Sequence, residues 1–420
     1  MKLELQNVGN FKSSSIDVNG LTVIAGANAT GKRTLCKAVY CLINGFSFSE
    51  TEFHDAQKAA ILQALGDLPR RLSVDSEAVG NPLADELLTL KAVDVDSLKA
   101  FLMSAINRYD DGSAALGKAI YVELFGDIPL EAQIIPRLQR VLSLDKASFV
   151  KSKTGDLLNQ EFRGQIANAQ TEGEVSSMAL TVQKHTLTVR IENGRITTLD
   201  ATDFLTKQAI YIDDPFVLDD EIRSCSSSCH NLSHREALRW LLTCRKPNTL
   251  LDNLWTEDYE DVLAKISTLC TGQLTEGADG RFLYQGNCDI GNVPAGLKMF
   301  LILRQLLVNG AFENCGTLIL DQPEIHLHPQ WQVTLAEVLV MLQKECGLTV
   351  LLTTYSPYFL RALEVFAKVH GIRLQCRFYR TGIENGSATV TDVNDSVDAI
   401  YKEMAEPFQM LENIVFFDKN

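Results

Sequence analysis

The chain has 420 residues, 46% hydrophobic and 22% charged, with a formal net charge of -14. This composition suits a folded protein of two or three domains, and the acidic balance argues against a chain-wide basic surface for nucleic acid. No run of 18 apolar residues occurs and the N-terminus lacks a signal-peptide core, while the ten cysteines lie scattered in apolar segments such as LCKAVYC; no membrane span is expected, and a cytoplasmic protein with reduced thiols is.

In chain order, residues 2–8 and 15–18 read as short strands, and Leu21 to Ala25 as a buried strand running into a glycine loop. A helix is expected from about Lys32 to Leu42. From about 48 to 177, apolar residues recur at helical spacing, as in AQKAAILQAL and SLKAFLMSAI, punctuated by Pro69, Pro82, Pro129 and Pro136. This predicts a mostly helical insertion (48–177) dividing the rest of the chain into 1–47 and 178–420. Alternation returns in MALTVQKHTLTVRIENGRITTLD, where Asn193-Gly194 marks a hairpin turn, and again in AIYIDD at 209–214. A helical stretch from His234 to about Cys270, a short hairpin near GADGRFLYQ and a long helix from near Pro294 follow. Thr317 to Leu320 and Thr349 to Thr353 read as buried strands. Strands alternating with helices predict an α/β fold with a mainly parallel sheet.

The strongest local pattern is LTVIAGANATGK. Gly26, Ala27, Asn28, Ala29, Thr30, Gly31 and Lys32 have the spacing and the strand–loop–helix setting of a P-loop, in which backbone N–H groups curl around phosphates and the lysine reaches the β/γ oxygens. ATP is the expected ligand. The hydroxyl residue that ligates magnesium should follow the lysine; this chain has Arg33 there, and Thr34 comes one position late. Magnesium is therefore doubtful, and Arg33 is a candidate for placing a guanidinium where the metal normally sits.

A second pattern, TLILDQPEIHLHP at 317–329, puts Asp321 at the end of a buried strand, where a magnesium-coordinating acid belongs. The next position, normally a glutamate that polarises the attacking water, is Gln322, which can orient water but cannot accept its proton. Loss of a general base lowers rates by about 10²–10⁴-fold. Glu324 is a substitute base only along a different backbone path. His326 and His328 read as a structural turn with one packed and one exposed ring. Cys225, Cys229 and His230 lack a second ligand pair, so a serine-rich loop at 224–231 is expected more than zinc. Asp213 and Asp214 either face the nucleotide or end a strand in solvent. Tyr40 and Tyr211 read as core.

LILDQPEIHLHPQWQ and LLTTYSPYFLRALEVF resemble the "DEPE-HLHP" and "THSPYF" segments of ABC-type, SMC- and OLD-like ATPases of bacterial anti-phage defence, of the Septu and retron-associated kind. NVGNFKSSSIDVNGLTVIAG, NVPAGLKMFLILRQLLVNGAF and DAIYKEMAEPFQMLE share the resemblance, which covers most of the chain outside the helical insertion. It implies an ABC-type P-loop head in which two heads sandwich two nucleotides, the signature loop of one meeting the γ-phosphate held by the other. The matching stretch is Pro294, Ala295, Gly296 and Lys298, with proline in the usual serine position; proline suits a first helical turn but donates no hydroxyl. The switch histidine is Tyr355. Catalytic and metal roles would thus fall on Asp321, Gln322, Glu324 and Tyr355.

Arg33, Pro294, Gln322 and Tyr355 all depart from the family pattern in the direction of weak hydrolysis. The resemblance implies a homodimer or higher oligomer through the heads and a partner nuclease of HNH type, with nucleic acid in the assembled complex left open. The expected function is a nucleotide-binding head that gates an effector, ATP acting as a conformational ligand. An active ATPase doing mechanical work and a nucleotide-free scaffold remain alternatives; a DNA-repair head is disfavoured by the acidic charge and the lack of long heptad arms.

Overall fold

The computed structural model describes residues 1–66, 76–90, 94–109, 130–168, 171, 174–201, 203–220, 232–243, 259–277 and 280–417. The cysteine–histidine cluster, the serine-rich loop, Pro69 and Pro129 lie outside them. Contacts divide the chain into two compact units, Met1–Ser47 with Lys151–Asn420, and Phe48–Val150.

In the first unit, β1 (Lys2–Val8) pairs antiparallel with β2 (Phe11–Asp17). Strand β2 starts earlier than its expected 15–18, because the polar Lys12–Ser15 run hides the alternation in the sequence. Strand β3 (Leu21–Gly26) is buried along its whole length, as a central strand covered on both faces must be. Helix α1 (Lys32–Phe46) continues four residues past Leu42, because Ile43 and Phe46 keep its buried stripe going.

The second unit contains α2 (Glu50–Leu65), α3 (Ser76–Leu88), α4 (Val95–Tyr109) and α5 (Leu130–Leu142). Ile61, Leu65, Leu83, Leu87, Leu98, Leu102, Ile135 and Leu138 form their common core. Pro82 and Pro136 sit inside α3 and α5, not between helices as expected. Each removes one intrahelical hydrogen bond, and the fully buried neighbours Leu83 and Leu138 hold the helix in place.

Helix α6 (Lys146–Phe162) carries the chain back into the first unit. Its later turns count there: Thr154 lies so close to Gly45 that a Cβ on that glycine would sit 2.6 Å from the threonine Oγ1. Strands β4 (Ser176–Val182), β5 (His185–Glu192) and β6 (Arg195–Ala201) complete an antiparallel sheet of order β2-β1-β4-β5-β6. Asn193 and Gly194 turn the β5–β6 hairpin with φ of 50° and 73°, the geometry that an Asn-Gly pair favours.

After β7 (Gln208–Ile212) come α7 (His234–Thr243) and α8 (Glu260–Ser267), both within the helical stretch expected from His234 to about Cys270, whose middle part, 244–258, lies outside the described residues. The short strands β8 (Leu274–Glu276), β9 (Phe282–Tyr284) and β10 (Cys288–Asp289) form a small sheet. Then follow α9 (Ala295–Val308), β11 (Cys315–Asp321), α10 (Pro329–Cys346), β12 (Thr349–Thr354) and α11 (Pro357–Val369). The chain closes with β13 (Cys376–Glu384), β14 (Ser387–Asp392) and α12 (Asp398–Phe417).

The central sheet runs β14-β13-β3-β12-β11-β7, parallel except for the antiparallel β13–β14 pair. Its register brings the carboxyl ends of five strands to one edge: Asp321 lies opposite Thr353, Thr354 opposite Ala25, and Thr381 opposite Gly26. Ligands of open α/β sheets bind outside such carboxyl ends. The architecture is an α/β fold in which a glycine loop follows β3 within a mainly parallel sheet, accompanied by an antiparallel sheet. Among the described residues no helix is long and apolar enough to cross a membrane.

Candidate nucleotide site

Gly26 ends β3 with φ of 152°, and a Cβ there would lie 2.4 Å from Thr381 Oγ1 and 2.5 Å from the Thr381 carbonyl oxygen. Gly31 opens α1 with φ of 88°, and a Cβ there would strike the Phe11 ring at 2.5 Å. Both glycines are thus required by backbone conformation and by space. Between them Ala27, Asn28 and Ala29 form the exposed crest of the loop, Ala29 with φ of 62°. Thr30 is buried; its hydroxyl donates to the Ala27 carbonyl (2.8 Å) and bonds Thr381 Oγ1 (2.6 Å), tying the loop to β13.

Lys32 is only 4% exposed, and its ammonium donates to the carbonyls of Gly26 (2.7 Å) and Ala27 (2.6 Å). Burial lowers its pKa, opposed by the negative charges of Asp321 and Glu324. The lysine therefore spans the loop from within.

Arg33 projects from the first turn of α1 onto Asp321, its Nε 2.6 Å from Oδ2. The other Asp321 oxygen, Oδ1, accepts from Thr353 Oγ1 at 2.6 Å, so both oxygens of this nearly buried carboxylate are engaged. Burial alone would lower the Arg33 pKa; the hydrogen bond and charge of Asp321 outweigh it and raise it. Thr34 does not stand in for the missing hydroxyl: its side chain packs at Gly9, where a Cβ would be 2.9 Å from Thr34 Cγ2. Arginine offers donors only, and magnesium requires oxygen ligands in an octahedron. The donor set around Asp321 does not fit magnesium.

The charged groups behind Arg33 have no motif in the sequence. Asp213, just past β7, places Oδ2 3.9 Å from Arg33 Nη2 and Oδ1 3.2 Å from His234 Nε2. The His234 Nδ1 faces Glu161 at 2.8 Å, and the His234 backbone N–H donates to the same carboxylate at 2.9 Å. The imidazole also lies against Tyr211, ring centroids 4.5 Å apart. Burial opposes charge on all three groups, yet mutual pairing wins: His234 is raised, and Asp213 and Glu161 are lowered. Glu161, Asp213 and His234 come from distant parts of the chain, so only folding assembles them. Of the two expected alternatives for Asp213, the structure places it beside the site, whereas Asp214 caps the following turn by accepting from the Phe216 N–H at 2.8 Å.

Gln322 adopts a left-handed backbone with φ of 54°, its N–H donating to Thr353 Oγ1 at 3.0 Å. Glu324 is 1% exposed; Oε1 accepts from Thr354 Oγ1 (2.6 Å) and the Tyr355 N–H (3.2 Å), while Oε2 is buried without a hydrogen-bond partner. Burial pushes its carboxyl above the usual range. So enclosed, Glu324 is poorly placed to activate an open water. Tyr355 leaves its ring exposed. Of the two histidines, His326 meets the Phe216 ring edge-on at 5.1 Å, and His328 caps α10 by accepting from the Gln330 N–H at 3.3 Å. Among the described residues no group of three or more His, Cys, Asp or Glu side chains is arranged to hold a metal ion.

The signature-like stretch begins α9. Pro294 is its N-cap residue, with Ala295 the first helical position. A Cβ on Gly296 would lie 3.0 Å from the His326 carbonyl oxygen, so this glycine lets α9 pack closely on the turn after β11. Lys298, expected to face nucleotide, turns inward instead: it is 1% exposed, its ammonium 2.5 Å from Asp219 Oδ1 and 4.9 Å from the centre of the Phe216 ring. Segment 213–219 thereby touches Arg33 through Asp213 and α9 through Asp219. Lys298→Ala is expected to lower stability by about 2–4 kcal/mol through lost packing and pairing, measured by urea unfolding. Lys298→Met should recover most of this, because Asp219 is 32% exposed and water can replace the ammonium.

Residues 297–361 match the family described as "AAA domain, putative AbiEii toxin, Type IV TA system". No curated protein matches the chain. Similar solved structures include an SMC head bound to the C-winged helix domain of ScpA, with 12% identity, TM-score 0.41, and coverage of 93% of this chain and 96% of that one. The SMC head domain from Thermotoga maritima gives 10%, 0.36, 93% and 98%. The Smc head domain with an extended coiled coil bound to the C-terminal domain of ScpA, derived from Pyrococcus furiosus, gives 10%, 0.28, 98% and 98%.

Proposed function

We propose that this chain is a nucleotide-binding ABC-type head in which ATP acts as a conformational ligand and hydrolysis is weak or absent. The carrying observation is the convergence of the glycine loop, Lys32, Arg33, Asp321 and Asp213 at the carboxyl edge of the sheet. Gly26 to Thr34 would hold the phosphates, with Lys32 exchanging loop carbonyls for phosphate oxygens. Hydrolysis is disfavoured because Gln322 cannot accept a proton, Glu324 is enclosed, and Asp321 is engaged by Arg33 and Thr353. Segment 213–219 supplies a link from the nucleotide to α9: a ligand that shifts Arg33 also shifts the element that holds Lys298.

The resemblance of residues 317–360 to defence ATPases supports a role in anti-phage defence of the Septu or retron-associated kind, and the match of residues 297–361 to an AAA-domain family supports the nucleotide-binding part of this reading. On this reading two heads associate through their nucleotide faces and hold or gate an effector, an HNH-type nuclease partner. A nucleotide-free scaffold is the second reading, favoured by the two hydrogen bonds that the Lys32 ammonium gives to the loop's own carbonyls.

Thermal unfolding with and without ATP, beside phosphate release over a long incubation, separates these readings. A ligand at 100 times its dissociation constant stabilises the native state by about 2.7 kcal/mol. The expected result is an ATP-dependent rise in Tm that Lys32→Ala abolishes, with no phosphate release above that variant. Steady turnover above it would establish an active ATPase, and no rise with any nucleotide would leave the scaffold.

A further inference from the structure

Arg33 is held from two sides. Its Nε donates to Asp321 at 2.6 Å, and its Nη2 lies 3.9 Å from Asp213, which His234 backs at 3.2 Å. The guanidinium side chain is nonetheless 58% exposed, and among the described residues its only hydrogen bond is the one from Nε. The Nη donors therefore remain available on the solvent side, one residue beyond the P-loop lysine.

We propose that the Arg33 guanidinium takes the place of the divalent cation, so that the site binds a nucleoside triphosphate as the metal-free anion. This inference rests on the nucleotide-binding reading above and goes further by naming the form of the ligand. A magnesium ion in a P-loop site is held by a hydroxyl after the lysine and by the strand-end acid, and bridges the β- and γ-phosphates. Here the hydroxyl is replaced by a group with donors only, and both oxygens of the acid are engaged. A divalent cation at Asp321 would have to displace a guanidinium from a carboxylate that is 5% exposed and then sit beside that positive charge.

What the metal would supply, positive charge facing the phosphates, Arg33 supplies without it. A guanidinium presents N–H groups in a planar fork that matches two phosphate oxygens at once. Asp321 then acts as the anchor that orients the fork and not as a metal ligand, and Thr353 fixes Asp321 from behind. Asp213, itself paired with His234, lies on the guanidinium's second side.

The test is titration of the full chain with a fluorescent ATP analogue, once in excess EDTA and once in excess magnesium. Wild-type dissociation constants should agree within about threefold. Arg33→Ser, which supplies a hydroxyl and releases Asp321, should bind at least about tenfold more weakly in EDTA and regain affinity when magnesium is added. Arg33→Lys keeps a cation against Asp321 and serves if the serine variant does not fold; it should keep metal-independent binding, weakened by loss of the fork. Wild-type binding that tightens about tenfold or more with magnesium overturns the inference while leaving the nucleotide site intact. Absence of binding in both conditions overturns the nucleotide reading as well.

Discussion

Gly26→Ala is expected to lower stability by about 2–6 kcal/mol, enough to unfold a marginal domain, through strain and overpacking together. The new Cβ would lie 2.5 Å from the Thr381 carbonyl oxygen, a backbone atom that moves only if β3 and β13 separate. The φ of 152° adds strain that any L-residue meets. Gly347, just after α10, is an uncrowded control: its φ of 61° is in the milder left-handed region and nothing lies within 4 Å of a Cβ there. Gly347→Ala should therefore cost only about 1 kcal/mol. Urea unfolding of both variants reads the difference, and equal losses would show that neither the crowding against Thr381 nor the φ of 152° adds to the cost of an ordinary left-handed glycine.

The second large effect belongs to His234. Replacing it by alanine leaves Glu161 and Asp213 facing each other's charge across a buried gap, and breaking a buried pair in this way costs about 3–5 kcal/mol. His234→Gln keeps hydrogen-bonding capacity but not the charge, so its deficit should depend on pH. The folded pKa of His234 is raised above its ordinary value of 6.5, so the stabilisation from its charge is fully present below that value and lost as pH rises through the folded one. Glu161 and Asp213 are lowered; their contribution is present above the ordinary carboxylate range and lost as pH falls through the depressed values. Unfolding of wild type and His234→Gln compared at pH 6 and pH 9 should show the larger gap at pH 6. A gap independent of pH would mean that His234 is neutral in the folded protein.

Arg33 illustrates how far a motif carries. Its position after Lys32 is a spacing fact, and the idea that a guanidinium sits where a metal would needs no structure. What the fold adds is the partner: Asp321 lies 288 positions away in sequence and meets Arg33 only because β3, β12 and β11 are hydrogen-bonded neighbours in register. Lys298 shows the opposite case. The motif suggested a ligand-facing lysine, and packing turned it inward onto Asp219 and Phe216, an outcome that no spacing rule contains.

The sequence by itself determined the glycine loop after β3, the strand-end acid and the parallel α/β class, and it showed Arg33, Pro294, Gln322 and Tyr355 at the positions where the resemblance expects other residues, because each is a local matter of periodicity, glycine spacing or residue chemistry. Strands β13 and β14 escaped it, since Arg377 and Arg380 interrupt the apolar run and half of β13 is covered by neighbours that only the sheet provides. The Glu161–His234–Asp213 chain escaped it for a related reason: a histidine near the start of a helix and two scattered acids carry no pattern until tertiary contacts bring them within 3.2 Å. Periodicity reports which face of an element is buried. Which charges share the interior depends on how elements remote in sequence pack, and that was decided by the register and order of the central sheet.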